Sequence, residues 1–318
     1  METRQLGRDG PQVPVLGLGA WPLGGGMGRV EERAAIATVR AAIDSGMTLI
    51  DTAQAYQNSE AVLGRALKNG YRERCFLATK VSGGYREPGS MTLVDTGGYS
   101  QVGIYRALEN SLKALAVDYV DLYQVHRWDP RHPIDAVMET LSRLQQEGKT
   151  RYIGVSNFSV PQMRQALQSA RFQSNQVGYN MFDRDIEDGV IPFCAEEGIG
   201  ILAYSPLAKG LLTGKYKPHH RFPPDDERSG YDRFQGGSFA RHLSVAGRLA
   251  AVAQDKGVTL VQLALAWVLR QPAVTCVLVG AKSPAQVREH VPAAAIKFHE
   301  DELARIEKIL AGVHPTCW

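Results

Sequence analysis

Short apolar segments alternate with amphipathic helical patterns along almost the whole chain, and this alternation limits the possible folds more than any other feature of the sequence. Strands are predicted over 16–19, 48–51, 75–80, 120–126, 152–156, 174–179, 199–204 and 276–279. Helices are predicted over 31–45, 59–68, 103–114, 133–147, 160–169, 188–197, 259–271, 285–291 and 300–311. Eight strands joined by helical crossovers favour an α/β fold of the (β/α)8 TIM-barrel type over an open sheet.

Two segments do not fit the repeating unit. The N-terminal stretch RQLGRDGPQVPVLG, with Asp9–Gly10 at its centre, predicts a β-hairpin that would close the bottom of the barrel. The segment 206–244, which follows the seventh strand, is rich in Gly, Pro and charges of both signs and is predicted to be a long loop at the carboxyl-terminal face. The sequence has no linker, fixed-period repeat or low-complexity tract, so we expect one domain over residues 1–318.

Composition excludes several classes of protein. The net charge is only +3, from 36 Lys and Arg against 33 Asp and Glu, and no dense basic run predicts nucleic-acid binding. The N-terminus lacks a signal-peptide core, and no apolar run reaches the ~18 residues of a membrane span. The four cysteines are scattered without a metal-binding motif, so no metal site is predicted. We expect a soluble cytoplasmic protein with reduced, mostly structural thiols: Cys75, Cys194, Cys276 and Cys317.

Ionisable side chains stand at the ends of three consecutive predicted strands. Strand two ends at Asp51 with Tyr56 in the next loop, strand three at Lys80 and strand four at His126. Each alone has an ordinary structural explanation: a helix cap, a boundary aromatic, a solvated lysine and a hydrogen-bonded histidine. In a barrel, however, all of them would meet at the carboxyl-terminal rim, where barrel enzymes carry their active sites.

The combination suggests acid–base chemistry. A free tyrosine has a pKa of about 10, and we expect the ammonium of Lys80 to lower the pKa of Tyr56 while Asp51 keeps Lys80 charged. Tyr56 could then donate a proton to a carbonyl oxygen, with His126 orienting that oxygen. A hydride source would have to be a cofactor. Because PLGGGMGR lacks both the GxGxxG and the GxxxxGK[ST] spacing, a dinucleotide would lie across the barrel rim.

Seven stretches together resemble the aldo-keto reductase superfamily over nearly the whole chain, and resemble most its bacterial and potassium-channel β-subunit branches. They are DTAQAYQNSE, LATK, DLYQVH, RYIGVSNF, NQVGYN, AYSPLAKGLLTGKY and VGAKSPAQVREH. The resemblance implies a catalytic tetrad and a nicotinamide dinucleotide extended over the barrel mouth. The tetrad would be Asp51, Tyr56, Lys80 and His126.

The same resemblance implies a set of cofactor-binding residues. Three groups would hold the carboxamide, and one aromatic ring would stack on the nicotinamide: Ser156, Asn157, Gln176 and Tyr204. A loop would cover the pyrophosphate: Ser205, Leu207, Lys209, Gly210 and Lys215. The adenosine end would contact Gly280, Lys282, Gln286, Glu289 and His290.

The adenosine stretch departs from the family pattern at two positions. His290 stands where the family commonly has Asn, and Gln286 where some branches have Arg. Lys282 suits a 2′-phosphate and has no acid beside it in the sequence, although it could also be a solvated loop lysine. We therefore expect NADP(H) to be the preferred cofactor and leave use of NAD(H) open.

The substrate side is less well defined. Trp21 and Trp128 match pocket-lining aromatics, or could pack beneath loops, and the insertion 82–100 would add to the pocket wall. The short tail 311–318 hints at an open pocket. The main hypothesis is a carbonyl reductase or alcohol dehydrogenase acting on a small molecule as a monomer or weak homo-oligomer. The alternatives are an NAD-linked sugar or alcohol dehydrogenase, a slow nicotinamide-sensing regulatory protein, and a Schiff-base lyase built on Lys80.

Overall fold

Eight parallel strands form a closed barrel in the computed structural model, which describes residues 1–86, 93–95, 97–224 and 226–311. All strands, in chain order, are β1 Thr3–Gln5, β2 Gln12–Pro14, β3 Leu16–Gly19, β4 Leu49–Asp51, β5 Phe76–Val81, β6 Gly84–Arg86, β7 Leu93–Asp95, β8 Val120–Val125, β9 Thr150–Ser156, β10 Ser174–Gly178, β11 Gly200–Tyr204 and β12 Val274–Val279. The barrel order is β3, β4, β5, β8, β9, β10, β11, β12, with β12 paired to β3. The predicted (β/α)8 barrel is confirmed.

Ten α-helices accompany the barrel within the described residues. They are α1 Glu32–Asp44, α2 Ser59–Ala66, α3 Gln101–Leu115, α4 Ile134–Gln146, α5 Val160–Leu167, α6 Val190–Glu197, α7 Gly236–Asp255, α8 Leu260–Leu269, α9 Pro284–His290 and α10 Glu300–Leu310. The helix α4 shows why the pattern predicts them, because Val137, Leu141 and Leu144 recur at helical spacing and are buried. A capping box of Thr259 and Gln262 starts α8.

The core has two parts. The larger part fills the space between the barrel and the helices, as expected when each helix buries one apolar face against a sheet. The smaller part lies inside the barrel, where Leu49, Ala78, Leu122, Leu202 and Cys276 pack together. Because the lower interior is filled with apolar side chains, polar groups of the inward-facing positions are concentrated towards the carboxyl-terminal rim.

The N-terminal hairpin is confirmed: β1 pairs antiparallel with β2. Its Leu6 and Val13 belong to the inner core, so the hairpin closes the bottom of the barrel as expected. Arg4 fastens it to a segment distant in the sequence, since its guanidinium donates to the carbonyl oxygens of Leu269 at 3.1 Å, Gln271 at 3.2 Å and Val274 at 2.6 Å.

The long connection after β11 contains more structure than predicted. The segment 206–244 was expected to be irregular, but α7 begins at Gly236 and continues beyond it to Asp255. The helix starts with two glycines and without a side-chain cap, which hides its beginning. Its apolar residues nevertheless follow helical spacing, at Phe239, Val245, Leu249 and Val252. Before α7 the described part of the connection has three short 3₁₀ turns, Ala208–Thr213, Glu227–Gly230 and Asp232–Phe234.

Some expectations fall wholly or partly outside the described residues. The insertion 82–100 contains the hairpin β6–β7, which was not predicted, but residues 87–92 and 96 are not described. The tail beyond Ala311, including Cys317, is also outside. The three other cysteines are buried and unpaired, and burial raises the pKa of Cys75 to about 11 and that of Cys194 to about 12. These values agree with structural thiols.

Candidate active site

A buried lysine connects two of the predicted residues at the barrel rim. Lys80, fully buried on β5, donates to the Oδ1 of Asp51 at 2.6 Å, the backbone oxygen of Thr52 at 2.8 Å and the hydroxyl of Tyr56 at 3.2 Å. An ammonium has three protons, so each has an acceptor. Burial lowers the pKa of Lys80, but Asp51 and Tyr56 raise it to a net value above the ordinary one. Lys80 is therefore a charged donor at neutral pH.

Asp51 is held from both sides. It ends β4 with its side chain buried, and its second oxygen, Oδ2, accepts from the amide of Gln176 at 2.8 Å and from that of Gln124 at 3.4 Å. These side chains reach it from β10 and β8 across the barrel interior. A buried carboxylate with a cation on one oxygen and amide donors on the other has the partners that offset its desolvation. Asp51 fixes Lys80 rather than capping a helix.

Tyr56 faces the barrel mouth and is only partly buried. Its ring lies 4.7 Å from Lys80 Nζ and 5.7 Å, centroid to centroid, from the ring of His126. Burial raises the pKa of Tyr56, and the charge of Lys80 opposes this without reversing it. The expectation of a net lowering is therefore wrong. The phenol keeps its proton at neutral pH, while the adjacent ammonium is in place to stabilise the phenolate that proton loss would create.

His126 lies one residue beyond the end of β8, with its Nδ1 2.7 Å from the hydroxyl oxygen of Ser82. Burial and then the charges of Lys80 and Arg127 hold the pKa of His126 well below its usual value. The imidazole is thus neutral near pH 7. A neutral imidazole beside a neutral phenol forms a pair of hydrogen-bonding groups without net charge at the mouth.

The residues expected at the nicotinamide lie side by side on β9, β10 and β11, with Asn157 directly after the end of β9. The amide nitrogen of Asn157 donates to Ser156 Oγ at 3.0 Å and to the backbone oxygen of His126 at 3.2 Å. The hydroxyl of Tyr204 donates to Asn157 Oδ1 at 2.9 Å. Asn157 has a positive φ of 60°, an uncommon conformation that is frequent at functional sites. The structure brings these three side chains and Gln176 to the same rim as the tetrad.

The loop expected over the pyrophosphate has an unusual backbone. Ser205, Ala208 and Lys209 all have positive φ, between 47° and 54°, and Gly210 has a φ of 102°. Such conformations cost about 1 kcal/mol or more each for residues other than glycine, and they recur where backbone N–H groups surround an anion. Leu207 accepts the backbone N–H of Gly210 within this turn.

Cations gather at the far end of the same loop. The side chain of Lys282 donates to the backbone oxygens of Met27 and Gly28. The pKa of Lys282 is lowered, first by burial and then by the charge of Arg228. The pKa of Lys215 is also lowered, first by burial and then by the charges of Arg228 and Lys282. The side chain of Lys215 nevertheless reaches solvent. Asp226, paired with Arg228, partly offsets this charge and also acts on Lys282. The expectation of no acid beside Lys282 holds for the sequence but not in space.

The rest of the adenosine stretch lies on and before α9. Gln286 Oε1 accepts the backbone N–H of Lys282 at 2.7 Å, and the carbonyl of Glu289 accepts from Gln262. Gly280 is packed so closely on Pro22 that a Cβ would lie 2.7 Å from its ring. His290 is 3% exposed, and its Nδ1 has no partner among the described residues. Burial lowers the pKa of His290 to about 4.

The two expected pocket tryptophans differ in their surroundings. Trp21 packs edge-on against Tyr56, with 4.9 Å between ring centroids, and its Nε1 donates to Glu227 Oε1 at 2.9 Å. The same carboxylate oxygen accepts from Lys209 at 2.7 Å. Trp128 packs on Phe158 at 5.3 Å. Trp21 thus borders the mouth, whereas Trp128 contacts the core behind it.

Sequence reasoning missed four side chains around this rim. Ser82 and Gln124 lie two residues from Lys80 and His126 respectively, so the two-residue strand period could have indicated them. Glu227 and Arg228 belong to the charged run DDER, whose position over the mouth only the folded loop reveals. No group of three or more metal-ligating side chains occurs among the described residues.

A (β/α)8 barrel with ionisable side chains at its carboxyl-terminal rim is the arrangement typical of barrel enzymes, and comparison with known proteins specifies the family. The Aldo/keto reductase family model matches residues 15–311, and the chain belongs to that family. Its members generally use nicotinamide cofactors. The chain is 39% identical over 292 residues to aldo-keto reductase YhdN of Bacillus subtilis (strain 168), covering 90% of this chain and 87% of the relative.

Solved structures show the same similarity. Glycerol dehydrogenase AKR11B4 from Gluconobacter oxydans superposes with a TM-score of 0.88 at 33% identity, covering 99% of this chain and 97% of that one. Aldo-keto reductase AKR11C1 from Bacillus halodurans superposes with a TM-score of 0.80 at 28% identity, covering 100% and 98%. Within the part of the chain that the structure describes, no helix is long and apolar enough to cross a membrane.

Proposed function

We propose that this protein interconverts an aldehyde or ketone and the corresponding alcohol with NADP(H) as its preferred cofactor, and that Tyr56 is the general acid and base. The observation that carries the proposal is the buried ammonium of Lys80, which joins Asp51 to Tyr56 beside a neutral His126. The donors for a carbonyl oxygen and the charge that stabilises the resulting phenolate meet at one point of the mouth. The family's oxidoreductase chemistry agrees with this arrangement.

In the reduction, side chains of the protein would carry out the proton transfer. Tyr56 gives its proton to the carbonyl oxygen, and Lys80 stabilises the phenolate left behind. His126 donates a hydrogen bond to the same oxygen and fixes its direction. A bound nicotinamide supplies the hydride. In the reverse direction the Tyr56 phenolate takes the proton from the alcohol. Because Lys80 is charged and has three acceptors, a Schiff base on it has no support.

The residues present fit a phosphorylated dinucleotide. Lys209, Lys215, Lys282 and Arg228 outnumber the two described acids beside them, Asp226 and Glu227, so the rim can accept further negative charge. The Nδ1 of His290 is buried and has no hydrogen-bond partner among the described residues. An adenine would provide that partner. We propose that Asn157 with Ser156 and Gln176 holds the carboxamide, that Tyr204 stacks on the ring, and that Lys282 binds the 2′-phosphate.

The first test of the cofactor is a titration with NADPH and NADH followed by tryptophan fluorescence. Trp21 reports on the mouth because its indole contacts both Tyr56 and Glu227. Much tighter binding of NADPH supports the 2′-phosphate site. Equal affinities contradict the NADP(H) preference, and binding of neither nucleotide contradicts the proposed function.

The test of the chemistry is the Tyr56→Phe variant in a screen of aldehydes and ketones. We expect carbonyl reduction to fall by at least about 100-fold, because the proton donor is lost, while NADPH affinity stays nearly unchanged. Tyr105→Phe is the matched control, since the Tyr105 hydroxyl contacts Glu147 on the helix surface. Retained turnover in Tyr56→Phe would exclude Tyr56 as the proton donor.

A second candidate function is oxidation of a polyol. It is favoured by the similarity to a protein described as a glycerol dehydrogenase, at a TM-score of 0.88. Oxidation of glycerol by NADP⁺ or NAD⁺, faster than any carbonyl reduction, would favour this direction. A slow nicotinamide-sensing role would appear instead as one rapid hydride transfer from prebound NADPH followed by very slow further turnover.

A further inference from the structure

Ser82 contacts the ring nitrogen of His126 that lies away from Tyr56 in the proposed mechanism. Its Oγ is 2.7 Å from Nδ1, and Ser82 itself is 7% exposed. Strands β5 and β8 pair in register at Val81 and Val125, their last residues, so Ser82 and His126, which directly follow them, meet at the rim. Pairing of two rigid strands therefore fixes the contact, rather than a chance approach of two surface side chains.

The chemistry of imidazole ties the direction of this hydrogen bond to the tautomer of His126. A neutral imidazole has one N–H donor and one acceptor nitrogen. A hydroxyl can donate to an unprotonated Nδ1 or accept from an Nδ1–H, and 2.7 Å lies within the range of both bonds. In the proposed function His126 donates from Nε2, so Nδ1 is the acceptor and the Ser82 hydroxyl is the donor. The hydrogen of the ring is then on Nε2, the nitrogen that remains for a ligand in the mouth.

We propose that Ser82 is a positioning residue that donates its hydroxyl hydrogen to Nδ1 of His126 and so holds the imidazole as the Nε2–H tautomer. This inference rests on the proposed function, in which His126 donates to the substrate's carbonyl oxygen. In the other tautomer, Nε2 would present a lone pair to that oxygen and repel it. Ser82 thus decides whether His126 can orient a carbonyl group, without contacting the substrate itself.

A purely structural role is the competing explanation. Ser82 begins the insertion 82–100 and has at least one further interaction, so its removal could simply loosen that segment. Two comparisons separate the explanations. Ser82→Thr keeps the hydroxyl that Ser82→Ala removes. Ser100→Ala disturbs the other end of the insertion, where the Ser100 hydroxyl accepts from Gly103 at the start of α3, and leaves His126 untouched.

The deciding measurement is ¹⁵N NMR of protein labelled at histidine, without substrate, with the His126 signals assigned by their loss in His126→Gln. We expect a protonated Nε2 and an unprotonated Nδ1 in the parent protein, in Ser82→Thr and in Ser100→Ala. Ser82→Ala should shift both nitrogens towards a mixture of tautomers. A protonated Nδ1 in the parent protein, or an unchanged spectrum in Ser82→Ala, would overturn the proposal.

Kinetics then connect the tautomer to turnover. Ser82→Ala should reduce kcat/KM for carbonyl reduction about tenfold, with NADPH affinity unchanged, and Ser82→Thr should restore most of it. Equal losses in Ser82→Ala and Ser100→Ala would indicate a structural role and refute the assignment. Because the NMR experiment needs no substrate, absence of all carbonyl reduction would contradict the proposed function while leaving the tautomer result valid.

Discussion

Replacing Lys80 by Met tests the centre of the site, because it removes a charge from between two groups that depend on it. Asp51, which is 2% exposed, would keep only the amide donors of Gln176 and Gln124. Removing one partner of a buried ion pair typically costs about 3–5 kcal/mol. For a chain of this length we expect Tm to fall by roughly 4–8 °C.

The same substitution should affect catalysis by a separate route. The Lys80 ammonium lies 3.2 Å from the Tyr56 oxygen. At an effective dielectric constant of about 20 that distance corresponds to an upper limit of about 5 kcal/mol of phenolate stabilisation. Solvent at the mouth screens the interaction, so we take about 3 kcal/mol, which is about a hundredfold loss in kcat.

A double variant separates the two effects. In Lys80→Met/Asp51→Asn a neutral amide replaces the buried carboxylate, so Tm should return most of the way to the value of the parent protein. Activity should stay about a hundredfold low, because the cation beside Tyr56 is still absent. Recovery of activity in the double variant would refute the role of the Lys80 charge. Unchanged stability in the single variant would refute the buried ion pair.

Three further predictions concern cofactor choice and pH. Lys282→Ala should weaken the binding of NADPH about ten- to a hundredfold and that of NADH less than about threefold. Lys308→Ala on α10 is the control. Equal losses of affinity for both nucleotides would contradict the 2′-phosphate assignment. The unfolded chain binds more protons at His290 than the folded chain does between pH 6.5 and about 4, so stability falls as pH falls through this window. Between pH 7 and 4, the free energy of unfolding measured in urea should fall by about 2–3 kcal/mol less in His290→Asn than in the parent protein. The same pH dependence in both proteins would contradict the burial argument. Since burial raises the pKa of Tyr56, the rate of alcohol oxidation should rise steadily from pH 7 to 10 while reduction stays nearly constant; a plateau of oxidation near neutral pH would mean a lower pKa.

The barrel and the convergence of Asp51, Lys80 and His126 at its rim could be predicted because both depend on local patterns. Each barrel strand is a short apolar run, and strand ends of a parallel barrel must meet at one rim, so Asp51, Lys80 and His126 had to converge. The helix α7 is the main element of the fold that the sequence pattern does not predict. Its glycine-rich start gives the same composition as a loop, and tertiary packing of Phe239 and Val245 supplies its stability.

The electrostatics of the site could not be predicted in the same way. The sequence places a cation near Tyr56, but whether burial or Lys80 dominates its pKa depends on how much of the ring the fold covers. Likewise, Asp226 is 56 residues from Lys282 in the sequence, and only the path of the long loop brings their charges together. Long-range contacts of irregular segments have no periodic signature.

The bonds of Arg4 have a consequence for the order in which the protein assembles during synthesis. Its three acceptors are separated from it by 265 to 270 positions in the sequence. Likewise, β3 can complete the barrel only when β12 has been synthesised and pairs with it. The hairpin is synthesised 265 to 270 positions before the groups that secure it. Closure therefore requires that synthesis has passed β12, and chains that stop before Val274 leave both the barrel seam and its base open to association with other molecules.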